Sequence, residues 1–111
     1  MEVVYRGQRS NKGVAEVFRI EDDCDSMESK EFKPNHDYCD KSPFFEWGYA
    51  GPGSIQLAHN ILYDYSRDEA LADNLHIRFA AEVICNLDEN RWRLTQREIA
   101  PFILSVGLAN A

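Results

Sequence analysis

A length of 111 residues, a net charge of −7 and a pI near 4.8 leave room for one domain, expected to span 1–111. A chain of this size buries roughly two-thirds of its unfolded surface, and 44% hydrophobic residues supply a core without disulfides or a metal. The acidic balance argues against a nucleic-acid binder, which needs a basic face to displace counterions, and against docking on an anionic membrane. No apolar run reaches the roughly 18 residues of a spanning helix. The start "MEVVYRGQRS" lacks the long apolar region of a signal peptide. Cys24, Cys39 and Cys85 are irregularly spaced, which suits a reducing cytosol better than a disulfide framework. A cytoplasmic location is expected.

In chain order, 2–8 and 13–21 are rich in β-branched and aromatic residues and read as strands. Between them "RSNKG" carries turn chemistry, so an antiparallel hairpin is predicted. Residues 21–43 show no clear period and read as the loosest part of the chain, punctuated by Pro34 and Pro43. From Ile55 the period turns helical. Ile55, Ala58, Ile61, Leu62 and Tyr65 form one stripe, and Gln56, His59, Asn60, Tyr63 and Asp64 take the other side. This predicts an amphipathic surface helix over about 54–66. A second helix is predicted over about 68–87, where Leu71, Leu75, Phe79 and Val83 recur every four residues and Ile77, Ala81 and Ile84 make the far side apolar too. A helix apolar on most sides belongs at the centre of a domain. "RWRLT" reads as a short strand. Thr95 and Glu98 then have capping-box spacing ahead of a last helix, in which Pro101 predicts a kink or a delayed start. The fold class expected is α+β: an N-terminal antiparallel hairpin packed on two or three helices, with a central, mostly buried helix.

The opening of the first helix is the most distinctive stretch: "FFEWGYAGPGSIQLA", Phe44 to Ala58. Gly51 and Gly53 permit tight or left-handed backbone, and Ser54 or Gly53 is placed to cap the helix. Two readings stand side by side. In one, the glycines admit a turn while Trp47 and Tyr49 pack over the core. In the other, free amides at the helix start seat an anionic or nucleotide-like ligand, lined by Glu46, Tyr49, Gly51, Gly53, Ser54 and Gln56, with Trp47 stacking on a ring. Glu46 is also the nearest carboxylate to answer the unpaired N–H groups of the first turn. The stretch lacks the Gly-Lys-Ser/Thr ending of a P-loop and the glycine spacing of a dinucleotide fingerprint.

Three blocks, "YRGQR" (5–9), "SPFFEWGYAGPGSIQLAHNIL" (42–62) and "RWRLTQREI" (91–99), occur in the order found in a family of small uncharacterised bacterial and phage proteins, a domain of unknown function that this chain resembles. Together they span nearly the whole chain. The resemblance implies a compact α+β domain, often encoded on mobile or phage-derived DNA, with no established activity.

Other constellations are weaker. His36 and Cys39 lie three apart with Cys24 upstream, which falls short of the four ligands of a zinc site. No metal, cofactor or catalytic residue is predicted. Cys85 reads as a small buried hydrophobe, His76 as a satisfied core histidine, and His59 as a wet-face residue within reach of a ligand at the glycine loop. "EDDCDSMESKE" (21–31) sets six carboxylates, Glu21, Asp22, Asp23, Asp25, Glu28 and Glu31, against one lysine. It reads as a solvated loop or, more sharply, as a patch that meets a basic host protein. The function expected is therefore a non-enzymatic protein-binding module, an accessory or counter-defence factor of a mobile element. The alternative is a small-ligand binder at the glycine loop.

Overall fold

The computed structural model describes residues 2–23 and 26–109, with backbone alone at 22, 23, 26, 27 and 107–109. Strands β1 (Glu2–Arg9), β2 (Ala15–Asp23) and β3 (Ser26–Glu31) come first, then helices α1 (Pro52–Ser66) and α2 (Glu69–Glu82), strand β4 (Arg91–Leu94) and helix α3 (Gln96–Ala109). The strands make one sheet in the order β3-β2-β1-β4, every neighbour antiparallel. This is the α+β fold with an N-terminal hairpin that the periodicities predict.

The β1–β2 turn is closed by Ser10, whose Oγ accepts from the amides of Lys12 (3.2 Å) and Val14 (3.1 Å). The described part of the acidic stretch is strand, not the loose segment expected. Its residues 21–23 and 26–31 lie in the antiparallel β2–β3 pair, with Glu21 opposite Glu28 and Phe18 opposite Glu31. Carboxylates are poor strand formers, but the backbone ladder to β2 holds them, and β3 is an edge strand where charge guards against further pairing.

One face of the sheet carries the core. Tyr5, Val17, Trp92 and Leu94 point from it toward Leu57, Ala58, Ile61 and Leu62 of α1, Leu75 and Phe79 of α2 and Ile99 of α3. Gly7 lies beneath the Trp92 ring; a Cβ there would sit 2.2 Å from ring atoms. The close approach explains why β1 has glycine opposite a tryptophan.

A central, mostly buried helix exists, but it is α1 rather than the stretch 68–87. From Gly53 to Leu62 every residue except Ile55 is buried. Gln56, His59 and Asn60, assigned above to the wet face, lie inside: the irregular segment 32–44 bonds Gln56 and Asn60, and Asp73 and His76 of α2 pack against His59. Gln56 Oε1 accepts from the Lys41 (2.7 Å) and Ser42 (3.3 Å) amides, and its Nε2 donates to the carbonyls of Cys39 (2.8 Å) and Asn35 (3.1 Å). Asn60 Oδ1 accepts from the Asn35 amide at 2.8 Å. An irregular segment has no ladder to satisfy its backbone, and these side chains answer it.

Helix α2 is capped by Asp68, which accepts from the Leu71 amide at 3.1 Å, and ends at Glu82, short of the expected 87. It buries Ala72, Leu75, Phe79 and Ala80, while Ile77 is 55% exposed. Cys85 falls in a short 3-10 turn, Ile84–Asn86, and is half-buried rather than sealed in a helix. The capping box forms: the Thr95 amide donates to Glu98 Oε2 at 2.6 Å, and Thr95 Oγ1 accepts from the Arg97 amide at 3.1 Å. Helix α3 starts at Gln96 without delay and runs on through Pro101.

Candidate functional site

The glycine stretch wraps the start of α1. The Glu46 amide donates to the Gly53 carbonyl at 3.2 Å, and Ser54 Oγ donates to the Tyr49 carbonyl at 2.6 Å. The first helical residue is Pro52, preceded by Gly51, and no side chain caps the turn. Neither Gly51 nor Gly53 adopts a left-handed φ; in this loop that conformation belongs to Gly48, at 83°. Gly53 is needed for another reason. A Cβ there would lie 2.7 Å from Glu46 Cβ.

Glu46 does not answer the helix start. Its Oε1 accepts from Arg9 Nη2 at 3.0 Å, and the Arg9 guanidinium lies 4.7 Å from the Trp47 ring centre. Trp47 is fully buried, edge-on to Trp92 at 5.5 Å, and donates from Nε1 to the Glu89 carbonyl at 3.1 Å. Gln56 and Ser54 are buried too, and Gln56 turns toward the segment 35–42. Of the seven residues singled out above, Glu46, Tyr49 and Gly53 therefore share one surface depression, of about 410 Å³; Trp47, Ser54 and Gln56 face inward, and Gly51 lies under the Tyr49 ring.

The depression is apolar. Phe44 (72% exposed), Val14 (57%) and Tyr49 (53%) line it beside Pro52. Val14 and Phe44 also line the adjoining depression of about 250 Å³, where Glu16 and Glu31 bring carboxylates to its wall. An apolar surface is thus continuous with the acidic strands.

Of the acidic run itself, Glu28 and Glu31 are exposed. Glu21 turns to the covered face and pairs with Arg19. The side chains of Asp22, Asp23 and Asp25 lie outside the described residues.

Sequence reasoning missed a polar cluster between the sheet and α1. Tyr5 Oη donates to Asp64 Oδ2 at 2.5 Å, and Arg19 Nε donates to the same oxygen at 2.6 Å. Burial, and then the Asp64 carboxylate, push the Tyr5 phenol far above its ordinary range. Burial opposes the Arg19 charge, but the bonds to Glu21 and Asp64 outweigh it and raise its pKa. A narrow cavity of about 70 Å³ adjoins the cluster, lined by Asn35, Tyr38, His59, Tyr63, Asp64 and Arg67. His59 is buried, not wet. Its Nε2 lies 2.8 Å from Asp73 Oδ1, its Nδ1 has no partner among the described residues, and His76 packs edge-on to it at 5.1 Å. His76 is half-buried, with Nδ1 2.9 Å from the Asp73 carbonyl. No spacing rule exposes such a cluster, because its members come from β1, β2 and α1. Among the described residues no three His, Cys, Asp or Glu side chains converge as metal ligands, and no helix is long and apolar enough to cross a membrane.

A four-stranded antiparallel sheet with three helices, its first hairpin at the N-terminus, defines an α+β protein that carries an apolar surface depression edged with acid. Residues 5–105 match a family of unknown function, DUF6166, and the chain belongs to that family. Comparison with curated proteins and with solved structures finds no match.

Proposed function

We propose that this chain is a non-enzymatic protein-binding module. The observation that carries the reading is the convergence of Val14, Phe44 and Tyr49, three large apolar side chains more than half or nearly three-quarters exposed, around one depression beside the glycine loop. Contiguous apolar surface on a small domain marks a place where another protein sits. The carboxylates of Glu16 and Glu31, continued by the acidic β2–β3 hairpin, set the chemistry of the partner. It is a basic protein that inserts an apolar anchor, and aromatic anchors such as Phe44 and Tyr49 dominate the energy of such contacts. The partner of this reading is a host protein, the chain acting as an accessory or counter-defence factor of a phage or mobile element in the cytoplasm.

A ligand seat at the same loop is the weaker reading. Its carboxylate is engaged by Arg9, and its stacking ring, Trp47, is interior.

Affinity capture from a host lysate tests the proposal, using the wild type, Phe44→Ala with Tyr49→Ala, and Asp22→Asn with Asp23→Asn and Asp25→Asn. A discrete basic protein should be retained by the wild type, lost with the apolar pair, and bound more slowly by the triple variant. Its on-rate should fall with rising salt. Equal capture by all three proteins overturns the reading.

A further inference from the structure

The face of the sheet turned away from the core has an ordered charge pattern. The strand register places Arg93, Arg6, Phe18 and Glu31 in one row across β4, β1, β2 and β3. The next row runs Arg91, Gln8, Glu16, and on the other side Val4, Ile20, Ser29. Positive charge thus gathers over β4 and the Arg6–Gln8 half of β1, with the exposed Glu2 at the far end of β1, and negative charge over β2 and β3, about 14 Å away at the usual strand spacing. Arg6, Arg91 and Arg93 are exposed, and none has a carboxylate partner within 4 Å among the described side chains. Between the two halves Phe18 and Ile20 are half-buried and lie outside the core, Phe18 with the Arg6 guanidinium 5.9 Å from its ring centre.

We propose that this bipolar face pairs with the same face of a second copy of the chain. A two-fold axis running along the strands, between two sheets packed face to face, sets β4 and β1 of one copy over β3 and β2 of the other. Arg6, Arg91 and Arg93 then meet Glu16 and Glu31 twice, and Phe18 and Ile20 meet near the axis. Such an isologous contact needs a surface complementary to itself, which a face of one charge is not. Sheets pack about 10 Å apart, within reach of arginine and glutamate side chains. A second copy is favoured over a nucleic-acid strand because phosphates crossing the arginine half would run onto Glu16 and Glu31.

Four strands by about six residues present roughly 400 Å² per copy. The sum, about 800 Å², lies below a standard interface, so the dimer is weak and salt-sensitive. It goes beyond the proposed function, and its test uses purified protein alone. Loss of one reading therefore leaves the other standing.

Sedimentation equilibrium of the full chain, at concentrations up to about 1 mM, reads the outcome at low salt and again near 1 M, where the Debye length falls to about 3 Å. The mass should rise from 12.8 kDa toward twice that value at low salt and return at high salt. Arg6→Glu with Arg93→Glu, and separately Glu16→Arg with Glu31→Arg, should each weaken self-association at least tenfold. An equimolar mixture of the two variants should associate again, since each face then meets its opposite. All substituted side chains are exposed or half-exposed, and circular dichroism melts check that each variant folds. A wild type that stays monomeric at low salt overturns the proposal. So does an arginine variant that associates like the wild type, or a mixture of two folded variants that fails to associate. A monomeric chain that binds a labelled single-stranded oligonucleotide through Arg6 and Arg93 overturns it in favour of nucleic acid.

Discussion

Tyr5 shows how much one side chain joins in this molecule. Its hydroxyl bonds Asp64 of α1, which also holds Arg19 of β2. Removing the hydroxyl with Tyr5→Phe leaves the part-buried Asp64 carboxylate with one donor fewer, at a cost of about 1–2 kcal/mol in denaturant titrations. The phenol's folded pKa is raised above its unfolded value near 10. Its contribution is therefore complete below pH 10 and declines as pH rises above it, by up to ~1.4 kcal/mol per pH unit. The stability gap between wild type and Tyr5→Phe should narrow from pH 9 to 11; a constant gap would show that the phenol titrates normally in the fold. Gly53 and Glu46 make a second contrast. Gly53→Ala drives a Cβ into Glu46 and should cost about 1–3 kcal/mol. Glu46→Gln preserves the shape and weakens only a partly exposed ion pair with Arg9, so the melting temperature should move by less than about 1 kcal/mol implies. A large loss with Glu46→Gln would give the carboxylate a structural role that its contacts do not.

At the scale of elements, α1 and the segment 32–44 stabilise each other. The segment makes no regular structure, and Gln56 serves four of its backbone groups, the Lys41 and Ser42 amides and the Asn35 and Cys39 carbonyls. Gln56→Ala removes the side-chain partner of the Lys41 and Ser42 amides and of the buried Cys39 carbonyl, while the Asn35 carbonyl keeps its bond from Asn60 Nδ2. It should cost at least ~2 kcal/mol and open the segment before the rest of the fold unfolds. Hydrogen exchange at the Lys41 and Ser42 amides would report this directly. Unchanged protection there would mean that the segment is held by packing alone. The capping box acts at the opposite end of the chain. Burial works against the Glu98 charge, but the Thr95 hydroxyl and amide hold its carboxyl below the usual range. The sequence signal for this cap was complete, because both its residues lie within one turn.

For the whole molecule, one hydrophobic core joins all three helices to the sheet, with a radius of gyration of 13.4 Å. Trp47 and Trp92, in contact at that core, should lose their fluorescence signature in the same transition as the helical circular dichroism. Two resolved transitions would mean that the sheet and helices unfold as separate units, against the single domain expected from length.

The sequence by itself determined the elements whose signals are local. These are the β1–β2 hairpin from alternation and its turn, the strand at Arg91–Leu94, the capped start of α3, and the existence of α1 and α2 from their periods. It also marked the stretch from Phe44 to Ala58 as the most distinctive of the chain, with a joint and a ligand seat both open. Tertiary structure decided which helix is central. Gln56, His59 and Asn60 carry polar groups that read as wet, and they are buried because distant chain supplies their hydrogen bonds. The apolar surface of Val14, Phe44 and Tyr49, the Tyr5–Asp64–Arg19 cluster and the divided charge of the outer sheet face are likewise invisible along the chain. Each is assembled from segments tens of residues apart, and only strand register and helix packing bring their side chains to one place.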